Sequence, residues 1–572
     1  MGLDLLKQLS FSWRTHVGLL LGWVVLGTVL RFVNLTMKPL WTDEFATLVF
    51  SLGHSFLTIP VNQVLDAPAL LAPAQFPLAA VHDTVQHLLT ESNHPPLFFI
   101  LMHGWLACFP GDHLLWSVRS LPAILGVVGI PASFGLGWVA FRSAWVAQAT
   151  AACMAVSPFA VYLAQEARHY TLPMVWILAS LACCVAVLMR LRDAKPIPIG
   201  LVLAWIGVNG LGIATHYFFA LTLVAEAIAL VGCLVGMRPL KLTAASMRRL
   251  SIAVLGTIAT GCVWLPFLNH AQDSELTRWI YVGDRLGWDW LAPIGTTLLS
   301  WVTMLYLLPI QGVPEGVAIA SGITLLLLFG ATVAWLGRCL YAARWVGRTG
   351  FVALLGVCLG AIALMWGITY GLGMDLTSAF RYHFIYFPAL VGLLGAGLVA
   401  SWQQRWGKGI TVGILLLSLV GSLTVVNNWA YQKTHRPDLV VQDIAEQMQE
   451  RQFPQLVAIA HRTHGQTGRL MAIAWELERY DAELTQNREI RYLLAHETDD
   501  PRSILVAVED GLDAIAQPLD LWLMNIQSVP EGVLNRWLED VHCQALDDDD
   551  SEDGYRYQPF HCAGVSSSDS LP

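Results

Sequence analysis

Few residues in this chain can carry acid–base or ionic chemistry, and those that can fall into short groups. Leu40-Trp41-Thr42-Asp43-Glu44 sets two adjacent carboxylates just past the first long apolar run. Asn93-His94-Pro95-Pro96-Leu97-Phe98-Phe99 follows, and then Arg119. Further on come Tyr162-Leu163-Ala164-Gln165-Glu166-Ala167-Arg168-His169-Tyr170, His216-Tyr217 and Arg381-Tyr382-His383. Arginine grips phosphate through parallel N–H donors. A carboxylate beside a bound phosphate suits general-base activation of a hydroxyl. The combination points to group transfer from a lipid-linked phosphate at a membrane surface.

Each group also has a plainer reading. Thr42 or Asp43 can cap a helix over 44–52, where acids are favoured in the first turn. His94 can cap the helix that the paired prolines start, bind a ligand or carry a proton. Arg119 can snorkel to lipid phosphate, and Glu166 can pair with Arg168. Polar groups are costly at these depths unless used or paired. Their gathering on one side of the membrane is what the plain readings leave unexplained.

The elements that must position them are apolar. Of 572 residues, 55% are hydrophobic and only 13% charged, with mean hydropathy +0.55. Soluble domains carry about 25% charged residues, so a soluble enzyme, a disordered chain and a nucleic-acid binder are excluded. Runs of about 20 apolar residues, the length a bilayer requires, mark eleven spans: 17–35, 119–140, 144–163, 170–189, 198–215, 217–237, 251–270, 316–337, 350–370, 384–401 and 409–428. With Lys7 and Arg14 inside, these spans also put Arg142, Arg190, Arg192, Lys195, Arg238, Lys241, Arg248, Arg249, Arg338, Arg344, Arg348, Arg405 and Lys408 inside. The other side receives chiefly Lys38, Arg168, Arg278, Arg285 and Arg381, in keeping with the positive-inside rule. Counting either 95–109 or 288–308 alone as a span inverts that agreement, so both are expected as helices lying on the outer surface or re-entering from it. The chemical groups then all face outward. Glu226 is the exception, mid-span, and is expected to hydrogen-bond to a neighbouring helix.

The chain from Lys433 onward differs. It holds 11 basic against 26 acidic residues, a balance of −15, so the preceding 432 residues carry +6 of the total −9. Apolar runs at 456–460 and 521–524 read as strands and 468–480 as an amphipathic helix, giving a small α/β domain outside the membrane. The acidic run 547–550, continued by Glu552 and Asp553, reads as a solvated loop, with a cation site the lesser alternative. Eight of the ten cysteines lie in apolar stretches; Cys543 and Cys562 stand in the tail, free to pair in an oxidising compartment.

In their order, the acid pair, His-Pro-Pro-Leu, the arginine at the second span and Gln-Glu-Ala-Arg-x-Tyr resemble the GT-C membrane glycosyltransferases. Within these the likeness is to family 39-like bacterial proteins, related to protein O-mannosyltransferases and the lipid A aminoarabinose transferase. It covers residues 15–240 well and 370–430 loosely. The resemblance implies a GT-C fold and an inverting transfer of a hexosyl or pentosyl group. The donor would be a polyprenyl-phosphate sugar and the acceptor a hydroxyl on a protein, lipid or glycan. Asp43 would be the base and Glu44 would hold the acceptor or the base. His94, Arg119, Glu166, Arg168, Tyr170, His216, Arg381 and Tyr382 would serve donor phosphate or sugar. The outer loop 271–315, with Trp279, Tyr281, Trp288 and Trp290, would cover the donor. A divalent cation, Mg²⁺ or Mn²⁺, bridging Asp43, Glu44 or Glu166 to phosphate is allowed but not required; no metal ligand set is assigned. The chain has no room for the β-trefoil module of the eukaryotic relatives, which implies a bacterial inner-membrane protein with a periplasmic active site. The alternative from another class is a transporter or flippase of a lipid-linked substrate. That reading wants polar groups at the bilayer midplane, where Glu226 is the principal acidic candidate.

Overall fold

The computed structural model describes residues 13–111, 113–236, 243–267, 280–281, 285, 287–480, 488–547 and 550–563. Lys7, Arg238, Lys241, Arg278 and Trp279, used above, lie outside the described residues. The chain divides into two compact units. The first is Met1–Leu35, Ser92–Met102 and Trp116–Gln432; the second is Thr36–Glu91, His103–Leu115 and Lys433–Pro572.

The first unit is helical. Among the described residues 8 helices are long and apolar enough to cross a membrane, and the pair Ala144–Val156 and Pro158–Ala164, bent by 56°, adds a ninth span. Ile199–Thr215 and Phe387–Trp402 are shorter apolar helices, so each of the eleven expected spans falls on helix. The two ambiguous runs become Leu97–Cys108, of 12 residues, and Ala292–Leu305, of 14 residues. At about 1.5 Å per residue neither covers the roughly 30 Å hydrocarbon layer. Thr171–Arg192 has 67% of its span window buried and runs through the interior, whereas Glu315–Ala342, with 6%, presents nearly all its apolar surface outward. Helices pack closely where a side chain is missing: a Cβ on Gly395 would collide with Thr150.

The bend at Pro158 has a local cause. Proline lacks the N–H that would bond back to the carbonyl four residues earlier, so that of Met154 is released. Arg31, fully buried on the first helix, donates to it (2.9 Å) and to the carbonyl of Ala155 (3.1 Å). Ser418 and Ser422 donate to the carbonyl of Val156 at 3.0 and 2.7 Å. The intramembrane charge thus sits on helix carbonyls rather than on an acid.

The second unit is an α/β layer structure. Its strands are β1 (Val64–Leu65), β2 (Gln455–His461), β3 (Ile490–His496), β4 (Leu519–Met524), β5 (Cys543–Ala545), β6 (Asp550–Glu552) and β7 (Tyr555–Cys562). They lie in the order β1-β3-β2-β4-β7-β5, with β6 on β7; β2 runs parallel to β3 and β4, and the remaining pairs are antiparallel. Leu456, Leu493, Leu521 and Leu523 pack with Ile504, Val508 and Leu512 of the helix Arg502–Asp513. Burial of β2 along both faces matches a parallel sheet covered by helices on each side. The expected strands at 456–460 and 521–524 and the expected helix are present, the helix spanning His464–Tyr480. A disulfide joins Cys543 to Cys562 across β5 and β7.

Two local expectations change. The acidic run is not all loop: Asp550–Glu552 is drawn into a strand by pairing with Tyr555–Tyr557, while Asp548 and Asp549 lie outside the described residues. The helix Thr42–Leu52 is capped at Trp41, without a side-chain bond, rather than by Thr42 or Asp43. Thr42 is already helical, and its hydroxyl is engaged by Nδ1 of His435 at 2.7 Å.

Candidate active site

In the first unit the sequence groups at helix ends assemble into one buried cluster. The bent span ends at Ala164, and Gln165 donates to the carbonyls of Leu30 (3.3 Å) and Val33 (2.9 Å). Arg119, fully buried, donates to the carbonyl of Leu35 (3.0 Å). These bonds tie off the carbonyls at the end of the first helix that would otherwise lack partners. Arg119 therefore does not snorkel outward.

Between Ala164 and Thr171 the chain turns tightly, with the Arg168 N–H donating to the carbonyl of Glu166 at 2.7 Å. Glu166, Arg168, His169 and Tyr170 are all buried. Arg168 Nη2 lies 3.1 Å from Nε2 of His94, whose Nδ1 lies 3.1 Å from the Ser92 hydroxyl. The helix beyond His94 begins at Leu97, directly after the two prolines, with the Pro96 carbonyl accepting from Ile100 (2.9 Å). His94 thus faces the arginine.

His169 is at the centre. Its ring lies 5.0 Å from that of His94, 4.6 Å from His216 and 4.6 Å from Tyr170. It is fully buried, and among the described residues neither ring nitrogen has a hydrogen-bond partner. Burial, with His216, Arg168, His94 and Arg381 around it, pushes its imidazole well below the usual range. Burial and His94, Arg168 and Arg381 do the same to His216. Burial first, and then the neighbouring cations, hold both rings neutral. Nδ1 of His216 accepts from the Phe218 N–H at 3.0 Å, and Phe218 packs on Tyr382 at 4.8 Å. The Arg381 guanidinium stands 5.7 Å over the Tyr382 ring. Tyr162 and Tyr431 stack at 4.3 Å with rings 4° apart, and the Tyr431 hydroxyl donates to Thr303 (2.7 Å).

The cluster therefore brings two arginines and three histidines together with Glu166, walled by aromatic rings, around an imidazole whose nitrogens lack partners among the described residues. Such a site suits a phosphate group, which would accept from the guanidinium forks and from the unsatisfied imidazole. His94, Arg168, Tyr170, His216, Arg381 and Tyr382 all belong to it, Glu166 lies on the same turn, and Arg119 ties off helix ends instead. His169, within a quoted motif but not assigned a role, is its most buried member. Tyr431 gave no signal in sequence beyond being a tyrosine after the last span.

Asp43 and Glu44 belong to the second unit. Glu44 is fully buried, and its Oε2 lies 3.2 Å from Nζ of Lys433, also buried, which stands 5.8 Å from the Trp41 ring. Asp43, in the first helical turn, is only partly buried. Gly468 brings the helix His464–Tyr480 close, since a Cβ there would meet Thr42 at 3.1 Å. Burial and His461 push the His464 imidazole down to about 4, against the pull of Asp43.

A divalent cation fits these residues poorly. Glu44 is neutralised by Lys433, the cluster around His169 is cationic, and among the described residues no group of three or more His, Cys, Asp or Glu could hold a metal ion. The expected donor-covering loop is described only in part. Trp288 is 86% exposed, and Trp290 packs on Tyr370 at 4.8 Å. Arg285 pairs with Asp375 at 2.6 Å. Glu226 accepts from the Ser180 hydroxyl on a neighbouring helix (2.9 Å), as expected.

No protein-family model matches the sequence, and no curated protein matches it. Among solved structures, ArnT from Cupriavidus metallidurans in the apo state is similar with a TM-score of 0.50 at 13% identity, over 96% of this chain and 99% of that one. The same protein bound to undecaprenyl phosphate gives 0.48 at 14% identity, over 96% and 99%. The oligosaccharyltransferase of Archaeoglobus fulgidus, in complex with Zn and sulfate, gives 0.47 at 12% identity, over 91% and 70%. The chain is a polytopic helical membrane protein that shares the fold of the apo ArnT structure and has a small α/β region.

Proposed function

We propose that this chain is an inverting glycosyltransferase that moves a sugar from a polyprenyl-phosphate donor to an acceptor hydroxyl on the extracytoplasmic side of a bacterial inner membrane. The observation that carries the reading is the buried cluster in which Arg168 meets His94 and the unsatisfied His169 stands within reach of Arg381's charge. A sugar phosphodiester needs its departing phosphate held and neutralised, and this cluster brings Arg168, Arg381 and the unsatisfied His169 imidazole together. The ArnT likeness supports the fold on which such chemistry runs. The disulfide in the second unit suits an oxidising compartment.

In the reaction the acceptor oxygen attacks the anomeric carbon and the carbon–oxygen bond to phosphate breaks, the electron pair leaving with the polyprenyl phosphate. Arg168 and Arg381 stabilise that developing charge, each such interaction contributing about 2–4 kcal/mol. His94 holds the Arg168 fork, and His169 donates from the ring nitrogen that lacks a partner. Tyr170 and Tyr382 provide flat walls for the sugar. Asp43 takes the acceptor proton. Glu44 keeps the helix carrying Asp43 in place through Lys433. No step runs through a metal, since the residues present do not fit one.

The test is transfer of labelled sugar by the purified full chain, offered a panel of polyprenyl-phosphate sugars with hexose and pentose head groups. Donor binding is read in the same samples. Binding of a donor that Arg168→Ala abolishes supports the reading; no binding of any donor contradicts it.

A further inference from the structure

The proposed reaction leaves one polar cavity unused. In the second unit a cavity of about 400 Å³ opens at the carboxyl ends of the parallel strands. β3 and β4 flank β2 on opposite sides. The connection leaving β2 runs toward β3 and the one leaving β4 runs the other way, toward β5, so the two diverge above the sheet. Open α/β sheets bind ligands at such a switch point.

Six side chains decide what the cavity can hold: Gln466, Arg469, Glu497, Asn525, Glu552 and Arg556. Glu497 is compensated, its Oε1 lying 2.6 Å from Nη2 of Arg462. Burial and the surrounding Asp550, Asp443 and Asp553 raise the Glu552 carboxyl above its ordinary value, against the pull of Arg436. Arg469 is half-buried; burial lowers its guanidinium from the ordinary value, and the group that opposes this is the Tyr555 phenol rather than a carboxylate. Its own carbonyl is held by the Tyr555 hydroxyl at 3.1 Å, which fixes the turn of helix presenting it. Asn525, in the left-handed region at φ 57°, accepts on Oδ1 from the Arg556 N–H (3.0 Å), while its buried Nδ2 donates to nothing among the described residues.

An uncompensated guanidinium in a confined polar space calls for an anion, and an unsatisfied amide N–H calls for an oxygen acceptor. Amides beside both extend that demand to hydroxyls. We propose that this cavity binds an acidic saccharide, with its carboxylate or phosphate on Arg469 and a ring oxygen on the Asn525 amide. The site is separate from the cluster around His169 and stands on its own residues.

The experiment is calorimetric titration of the full chain in lipid nanodiscs at pH 7, without any lipid-linked donor, using glucuronate, glucose 6-phosphate, glucose and inorganic phosphate. Saturable binding of glucuronate or glucose 6-phosphate is expected, with glucose and phosphate at least tenfold weaker. Arg469→Gln should weaken the acidic sugar at least tenfold; Arg556→Gln, at an exposed position, should weaken it less with the fold intact. Binding should persist in Arg168→Ala protein, which separates this site from the transferase reading. No acidic-sugar binding, equal binding of glucose or phosphate, or indifference to both arginine substitutions overturns the proposal.

Discussion

Arg168 Nη2 lies 3.1 Å from Nε2 of His94, so the histidine accepts on Nε2 and its Nδ1 carries the proton toward Ser92, 3.1 Å away. An arginine has only donors to offer, and the contact therefore fixes the imidazole tautomer and the direction of the guanidinium together. Arg168→Lys should lower transfer at least tenfold because a point charge cannot reproduce the fork. His94→Ala should lower it less, with the loss showing in the rate rather than in the amount of folded protein. Steady-state kinetics on both variants checks this.

Glu44 and Lys433 form a buried pair at 3.2 Å in the second unit. Removing one partner takes this ion pair from the other, buried charge, at a cost of about 3–5 kcal/mol. Glu44→Leu and Lys433→Met should each lower the thermal midpoint sharply, while the double variant Glu44→Leu with Lys433→Met recovers much of it. Additive losses in that cycle would show that the pair is not coupled.

Phosphate binding should move protons. His169 and His216 are held neutral by burial and by neighbouring cations, both below the ordinary imidazole value. An anion arriving among them opposes those cations and raises both values, so donor binding near pH 6 should take up protons. Titration in buffers of different ionisation enthalpy would show it, and His169→Asn should reduce the uptake.

Acid should weaken the second unit for a related reason. His461 and His464 are pushed down to about 4 from 6.5, chiefly by burial. The unfolded chain gains those protons near 6.5 and the folded chain only near 4. Stability is therefore complete above 6.5 and lost as the pH falls from 6.5 toward 4. Thermal midpoints across that window should decline, and the slope should shrink in the His464→Gln variant.

Long apolar runs carried the spans plainly, because a bilayer demands length and apolarity whatever the helix packs against. The parallel strands β2 and β4 were legible for the same reason, being buried on both faces. Partners from distant parts of the chain were not. Nothing near Arg31 announces the carbonyls freed at Pro158, and nothing near Glu44 announces Lys433. The acidic composition of 550–552 argues for a loop, and only pairing with Tyr555–Tyr557 overrides it. The motif around Arg168 was visible as chemistry. Which of its side chains turns inward was not, and His169 proved the most enclosed.

The most direct test of the account is transfer of labelled sugar from a polyprenyl-phosphate donor by purified full chain, with Asp43→Asn and Arg168→Ala beside the wild type. The account predicts turnover by the wild type, retained donor binding without turnover for Asp43→Asn, and loss of both for Arg168→Ala. Wild-type protein that neither binds nor consumes any donor, or turnover that survives both substitutions, would contradict it.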